Sequence, residues 1–486
     1  MKSYYQYLKL RKRDTVNNKF NKNKKLYRNE NTMQMNLTIN PNNSGLAINF
    51  KGEDYHLKYN EKVWEDLPES IKKIFIDNYL FLKSVHLPLI LNVDKIRLNT
   101  SSPLLKSFFL TMQFMDIPSS SYSDKILPNE YFKRFFNCEY KFKNNGIKHP
   151  TRNFSLNENS SIISFTFGKD SLLTLSLLKE LNFESIPVWV EEKGAPIENK
   201  FKKKLINNFK NEFDIKIERI YNETMLLHNY HHLGISEERL YSLSHLLTEY
   251  AFLMIPYIYN YRSKYIFFGN EQSCNISFIS DSGFKCYPVY DQSVEWMSEI
   301  NKMMNILLKN KFHVSSIVEP LHDLAIVKIL YRRYPEFAKY QYSCFPDETA
   351  INNFKRWCCY CSKCARLYII FKALNINTKK VGFKNGMLSR NHKPYYSIFG
   401  VNVDDNAYDV SGVGRDEQLL AFYLAYKNKV KGELIEEFKK RFLHEAKERE
   451  DELIKKFFTV HRSITLPKKI KRNVMPIFKE ELSDFV

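Results

Sequence analysis

One twelve-residue stretch constrains this chain more than any other: Ile162-Ile-Ser-Phe-Thr-Phe-Gly-Lys-Asp-Ser-Leu-Leu173. An apolar, β-rich run breaks at Gly168-Lys169-Asp170-Ser171 and at once takes up a helical pattern. A strand that delivers the chain to a tight turn, followed by a helix whose first N–H groups lack intrahelical partners, makes a seat for an anion. Gly168 lets a phosphate approach the backbone, Lys169 offers a point charge, Asp170 suits a helix start and Ser171 adds a hydroxyl. A loop of the G-x-x-x-x-G-K-[ST] type is excluded, because the lysine is followed by aspartate and no earlier glycine stands at the required distance.

Downstream, Leu172, Leu173, Leu175, Leu177, Leu178 and Leu181 mark a largely buried helix, and Ser185-Ile-Pro-Val-Trp-Val190 reads as the next strand. A second long helix is expected over Glu237 to Tyr259, running into a strand at Tyr265-Ile-Phe-Phe268 that ends in Gly269-Asn270-Glu271. Alternating strands and helices imply a parallel sheet covered on both faces, with ligands at the carboxyl ends of its strands. Glu191 and Glu192 follow the Val188–Val190 strand at such an end, a position that in a nucleotide-binding sheet would meet adenosine or Mg²⁺ and that reads equally well as an ordinary solvent-exposed turn.

Five of the eight cysteines fall in a short window: Cys344, Cys358, Cys359, Cys361 and Cys364. The N-terminus is charged rather than apolar, so a reducing cytoplasm is expected and metal binding is preferred to disulfides. Cys358, Cys361 and Cys364 form a C-x-x-C-x-x-C run, and Cys344 can supply a fourth thiolate. Four thiolates suit a structural Zn²⁺, with an iron–sulfur cluster as the other outcome. Cys359 is the spare, or takes the place of Cys358. Cys138, Cys274 and Cys286 read as small buried hydrophobes.

Thr166 to Ser171 resembles the S-G-G-x-D-S signature of the PP-loop ATP pyrophosphatases, with Phe167 where the commoner form has glycine. Together with Ser343-Cys344 and Cys358-Cys-Tyr-Cys361-Ser-Lys-Cys364-Ala-Arg366, it looks like the 7-cyano-7-deazaguanine synthase superfamily. Gly269-Asn270-Glu271-Gln272-Ser273-Cys274-Asn275 is similar to the G-N-E-x-S-A-N stretch of a second branch, the glutamate epimerases of muramoyl-peptide precursors. Asp291-Gln292-Ser293 resembles their H-Q-x-S-K-S segment, with Asp291 and Val294 replacing the His and Lys. The resemblance covers about residues 155–375. It implies an α/β fold of the PP-loop, adenine nucleotide alpha hydrolase-like type, carrying a four-cysteine zinc loop. It further implies an ATP- and Mg²⁺-dependent adenylating enzyme. Thr166, Phe167, Gly168, Lys169, Asp170, Ser171 and Glu192 would hold the nucleotide, with Lys169 and Asp170 catalytic. Asn270, Glu271, Asp291 and Gln292 would hold the substrate.

At 486 residues the chain exceeds one typical domain. Residues 1–32 carry ten basic and two acidic residues, and so eight of the net charge of +20; they read as a disordered basic arm that could meet nucleic acid. Residues 33–155 are expected to form an α+β domain, with β-type segments near Asn36 to Tyr59 and a helix near Pro68 to Val85. Residues 156–375 are the nucleotide core with its zinc site, and 376–486 a mainly helical cap, strongly helical from Asp416 to Phe458. No apolar run is read as reaching the ~18 residues that span a bilayer.

His228, His231 and His232 form an H-x-x-H-H group, read as surface or substrate-facing because no glutamate lies between them as in a metalloprotease helix. Arg239 could contact phosphate, although an ion pair with Glu237 or Glu238 is preferred. No serine lies in a nucleophile elbow. The leading expectation is an enzyme that activates a carboxylate of a small molecule or peptide precursor as its adenylate. Its rivals are a zinc-bearing nucleic-acid-binding protein and a PP-loop enzyme that moves sulfur onto tRNA, for which Cys274 would be the reactive thiol.

Overall fold

Ile162 and Ile163, neighbours on the strand before the Gly168–Ser171 turn, are both buried, and they enter different cores on opposite faces of one sheet. A strand with apolar side chains on both faces belongs in the interior of a sheet covered on both sides. The computed structural model describes residues 33–150, 154–229, 232–235, 245–344, 356–400 and 413–485. The basic arm and Arg239 lie outside them.

The strands are β1 (Gln34–Asn42), β2 (Gly45–Phe50), β3 (Glu53–Lys58), β4 (Lys95–Ser101), β5 (Glu139–Asn144), β6 (Asn157–Ser164), β7 (Glu184–Glu192), β8 (Glu218–Asn222), β9 (Ser263–Phe268), a short hairpin of β10 (Phe278–Ile279) and β11 (Lys285–Cys286), and β12 (His313–Ser316). Ten of them form one sheet in the order β12-β9-β6-β7-β8-β3-β2-β1-β4-β5. From β12 to β8 every pairing is parallel, with Ile162 of β6 beside Ile186 of β7 and Ile266 of β9. Within this half the chain runs outward from β6 through β7 to β8, then returns to the other side of β6 for β9 and β12. The crevice where the direction reverses, between β6 and β9, is where open α/β sheets bind ligands.

The segment before residue 155 does not form a separate sheet. β3 joins β8 antiparallel through Leu57–Asn222 and Lys58–Tyr221, and β3, β2 and β1 form a meander that β4 and β5 extend in parallel.

Helices fill both faces. On one face lie α1 (Glu69–Leu82), as expected from Pro68 onward, and α4 (Leu246–Leu253) with α5 (Ile255–Tyr261). The other face takes α2 (Lys169–Glu180), α3 (Pro196–Phe213), α6 (Asp323–Arg333) and α7 (Ser362–Ala373). The C-terminal helices α8 (Val413–Lys427), α9 (Glu433–Arg441), α10 (Leu443–Glu448), α11 (Glu450–Phe458) and α12 (Lys468–Leu482) share that second core, in keeping with a helical cap.

Two expectations need correction. The helix read over Glu237 to Tyr259 is, in its described part, two helices that meet at Met254, because Pro256 in the first turn of α5 favours a fresh helix start over continuation. The stretch Glu69–Leu91 is long and apolar enough to cross a membrane, which the sequence reading missed. It is a core helix region, since 89% of its most apolar window is buried inside the protein.

A buried charge pair joins the N-terminal segment to the parallel half of the sheet. Lys83, just past α1, places Nζ 2.8 Å from Glu249 Oε2 on α4, and Tyr79 Oη (2.9 Å) and Asn222 Nδ2 (3.1 Å) donate to Oε1. Both charges are withdrawn from water, so losing one partner strands the other. Glu249→Ala is therefore expected to lower unfolding free energy by about 3–5 kcal/mol in denaturant titration, and Lys83→Met with Glu249→Leu to recover most of that loss.

Candidate functional site

β6 ends at Ser164, and the sheet ladder runs one residue further, where the Phe165 N–H donates to Val188 O at 2.9 Å. Thr166, Phe167 and Gly168 then turn the chain into α2. Three short bonds set the turn: Ser171 Oγ donates to Gly168 O (3.1 Å) and accepts from Thr166 N (3.3 Å), while the Gly168 N–H donates to Thr166 Oγ1 (3.4 Å). Ser171 thus serves the loop's shape as well as its polarity.

Phe167 adopts φ 59°, the left-handed region that favours glycine. That conformation costs a larger residue about 1–2 kcal/mol. Its ring is buried, 4.7 Å from Phe165 and 5.5 Å from Phe209 between centroids, and such burial contributes roughly 1.5–3 kcal/mol. The apolar anchor therefore offsets the strain. Phe167 does not line the cavity, so it shapes the loop through its backbone and leaves ligand contact to its neighbours.

The cavity, of about 260 Å³, lies at the carboxyl ends of β6, β7 and β9. Thr166, Gly168, Lys169, Asp170, Ser171, Glu192, Asn270, Glu271, Asp291, Gln292 and Cys344 all line it, so the candidates read from separate segments of the chain converge. Gly269, at the end of β9, must be glycine: a Cβ there would stand 2.6 Å from Asp170 Cβ. Glu191 and Glu192 part company as strand geometry requires. Glu192 faces the cavity and accepts from Tyr250 Oη, while Glu191 pairs with Arg219 and Lys203. His228, expected at the surface or facing substrate, is instead buried, stacked 3.9 Å from His86 and 3.9 Å from Glu249. His231 lies outside the described residues, and His232 sits beside Tyr55 at 2.7 Å, away from the cavity.

Sequence reasoning assigned no role to several charged groups of the cavity wall. Asp323, at the start of α6, sits 2.6 Å from Lys169 Nζ, and Lys363 and Arg366 enter from α7. The chain around Asp323 carries no recognisable motif, and only the proximity of Arg366 to the cysteine run marked it in advance. Lys202 of α3, 2.6 Å from Glu198, completes the far side.

Burial opposes the charge on Lys169, but Asp170 (2.5 Å), Asp323 and Glu271 outweigh it and hold the ammonium above its ordinary range. Burial raises Glu271 to about 8, reinforced by the charge of Asp323. Lys202 is pushed down to about 7 by burial, against the pull of Glu192. Burial, with Asp116 adding, lifts Asp291 to about 7, although the Leu247 N–H donates to Oδ2 at 3.0 Å.

Beside this wall the thiols of Cys344, Cys358, Cys361 and Cys364 lie within 4.8 Å of one another and could hold a metal ion. The Cys364 sulfur is 3.6 Å from that of Cys344 and 3.7 Å from that of Cys358. Tetrahedral bonds of ~2.3 Å to one zinc would separate sulfurs by about 3.8 Å, whereas the irons of a cluster would hold them further apart. Backbone N–H groups already point at two of them, Cys358 N to Cys344 Sγ (3.1 Å) and Cys364 N to Cys361 Sγ (3.3 Å). Cys359 turns away at φ 60°, its thiol donating to Trp357 O, so the choice between Cys358 and Cys359 falls to Cys358.

No protein-family model matches this chain, and no curated protein matches it.

Two outcomes check this geometry. Cys358→Ser should lose bound metal in elemental analysis, and Cys359→Ser should keep it. Folded Asp291 holds its proton up to about pH 7 against 3.8 for an ordinary aspartate, so the folded chain binds more protons between those values and stability falls as pH rises through that window. Asp291→Asn should flatten this decline in melting temperature measured from pH 4 to 7.

Proposed function

We propose that this protein is an ATP-dependent enzyme that activates a carboxylate of a small molecule or peptide precursor as its adenylate, releasing pyrophosphate. The observation that carries the reading is the turn at Thr166–Gly168, which opens the N-terminus of α2 and Lys169 onto a cavity at the sheet's reversal point. Its resemblance to the PP-loop signature supplies the reaction.

A carboxylate is a poor electrophile, and joining it to AMP supplies a good leaving group. The substrate oxygen forms a bond to the α-phosphorus as the α–β bridge breaks, and both electrons of that bond leave with pyrophosphate. Lys169, Arg366 and the first residues of α2 line the cavity and would face that developing charge, in a partly enclosed site where fixed charges act strongly, with Lys363, pushed down to about 7 by burial, beside them. Asn270, which donates to Gln292 O at 2.9 Å, would orient the acceptor together with Asp291. Glu271, poised near 8, suits a carboxyl that gives or takes a proton near neutrality, and this favours an epimerase-like fate over a deazaguanine-like one. Asp170, at the loop, or Glu192, across the cavity, would offer a carboxylate oxygen of the kind that suits Mg²⁺, which would neutralise polyphosphate charge. Zn²⁺ suits the four thiols in a structural role, because four protein ligands leave no position for water.

Sulfur transfer to tRNA has one observation in its favour, that Cys274 lines the cavity. Burial and then the charge of Glu271 push this thiol well above its ordinary range, which disfavours a thiolate nucleophile.

Release of AMP and pyrophosphate from ATP with Mg²⁺ and a panel of carboxylates tests the proposal. Lys169→Met is expected to lower the rate by about 10²–10³. Failure of every carboxylate to elicit AMP would overturn it.

A further inference from the structure

Asp323 is buried where two elements from distant parts of the chain meet. One carboxylate oxygen lies 2.6 Å from Nζ of Lys169, the first residue of α2, and the other 3.2 Å from Nε of Arg366 on α7. Its side chain has no exposure to solvent. Burying a carboxylate between two cations is costly unless both stay in place, so the arrangement ties the position of each cation to the other.

The four-cysteine cluster lies at the start of the helix that carries Arg366. Cys361 caps α7 by accepting from Cys364 N, and Arg366 follows Cys364 by two residues. Cys344 lines the same cavity, and two residues before it the Tyr342 N–H donates to Phe167 O at 2.7 Å. Two independent links therefore run from the four thiols to the phosphate-type loop. One is backbone, through Tyr342 and Phe167. The other is electrostatic, through Arg366, Asp323 and Lys169.

We infer that Asp323 is a positioning residue that couples the four-cysteine site to the loop, so that a metal ion at one and a polyphosphate at the other strengthen each other's binding. The inference rests on the anion-binding reading of the loop. A metal ion fixes the spacing of Cys344, Cys361 and Cys364, and with it the start of α7 and the reach of Arg366. Arg366 neutralises one side of Asp323, and Lys169 is held by the other. An anion at the loop bridges Lys169 and Arg366 while each keeps its contact with Asp323, and so stiffens the same frame. Such coupling is reciprocal: whatever factor the anion adds to metal affinity, the metal adds to anion affinity.

The test uses full-length protein loaded with zinc, and inorganic pyrophosphate as the anion. Zinc affinity is measured by competition with a chromophoric chelator, with and without saturating pyrophosphate, and pyrophosphate affinity by calorimetry on zinc-loaded and stripped protein. Pyrophosphate is expected to raise zinc affinity by about fivefold or more, and stripping to weaken pyrophosphate by the same factor. Asp323→Asn should reduce the factor to what the backbone link through Tyr342 and Phe167 carries alone, with zinc still bound. Arg366→Gln, at a partly exposed position, should do the same and decides the matter if Asp323→Asn does not fold. A factor of one in the unaltered protein, no pyrophosphate binding, or an unchanged factor in the variants would overturn the inference. Coupling without AMP formation would overturn the proposed reaction and leave the coupling standing, and AMP formation without coupling would do the reverse.

Discussion

The left-handed backbone at Phe167 is the constraint on which the cavity depends. β6 stops at Ser164 and a helix starts at Lys169, and Phe167 takes positive φ in the turn between them. Glycine does this without cost, and phenylalanine does it only because Phe165 and Phe209 enclose its ring. Core packing and loop shape are thereby one interaction. The Tyr342 N–H on Phe167 O extends it to the segment that carries Cys344.

A second dependence runs across the sheet. The parallel half and the N-terminal meander share ten strands, but β3 and β8 are joined over only two residue pairs. The buried Lys83–Glu249 pair and the mixed core formed by α1, α4 and α5 hold the halves together where the ladder is short. Glu249 precedes Tyr250, whose hydroxyl meets Glu192 in the cavity, so this junction also sets one wall of the site.

The cavity is electrostatically divided. Lys169, Asp170, Asp323, Lys363 and Arg366 gather at the loop, while Glu192, Glu198 and Lys202 gather on the far side. Burial raises Glu271 and Asp291 and lowers Lys202, so several groups change charge near neutrality rather than at their ordinary values. Groups displaced in this way by enclosure are common where proteins do chemistry.

By itself the sequence determined the local grammar. The apolar run, the Gly168–Ser171 turn and the leucine-rich helix set β6 and α2, because strand and helix periodicities and capping are short-range. The cysteine spacing likewise marked Cys344, Cys358, Cys361 and Cys364, though only geometry could separate Cys358 from Cys359. Tertiary structure decided what meets what. That Asp323 lies under Lys169, that Glu191 turns from the cavity while Glu192 enters it, that His228 is buried against His86, and that β3 extends the sheet from β8 all depend on contacts between residues far apart in the chain. No periodicity or motif encodes such contacts, because they are fixed by burying apolar faces and pairing charges across the whole fold.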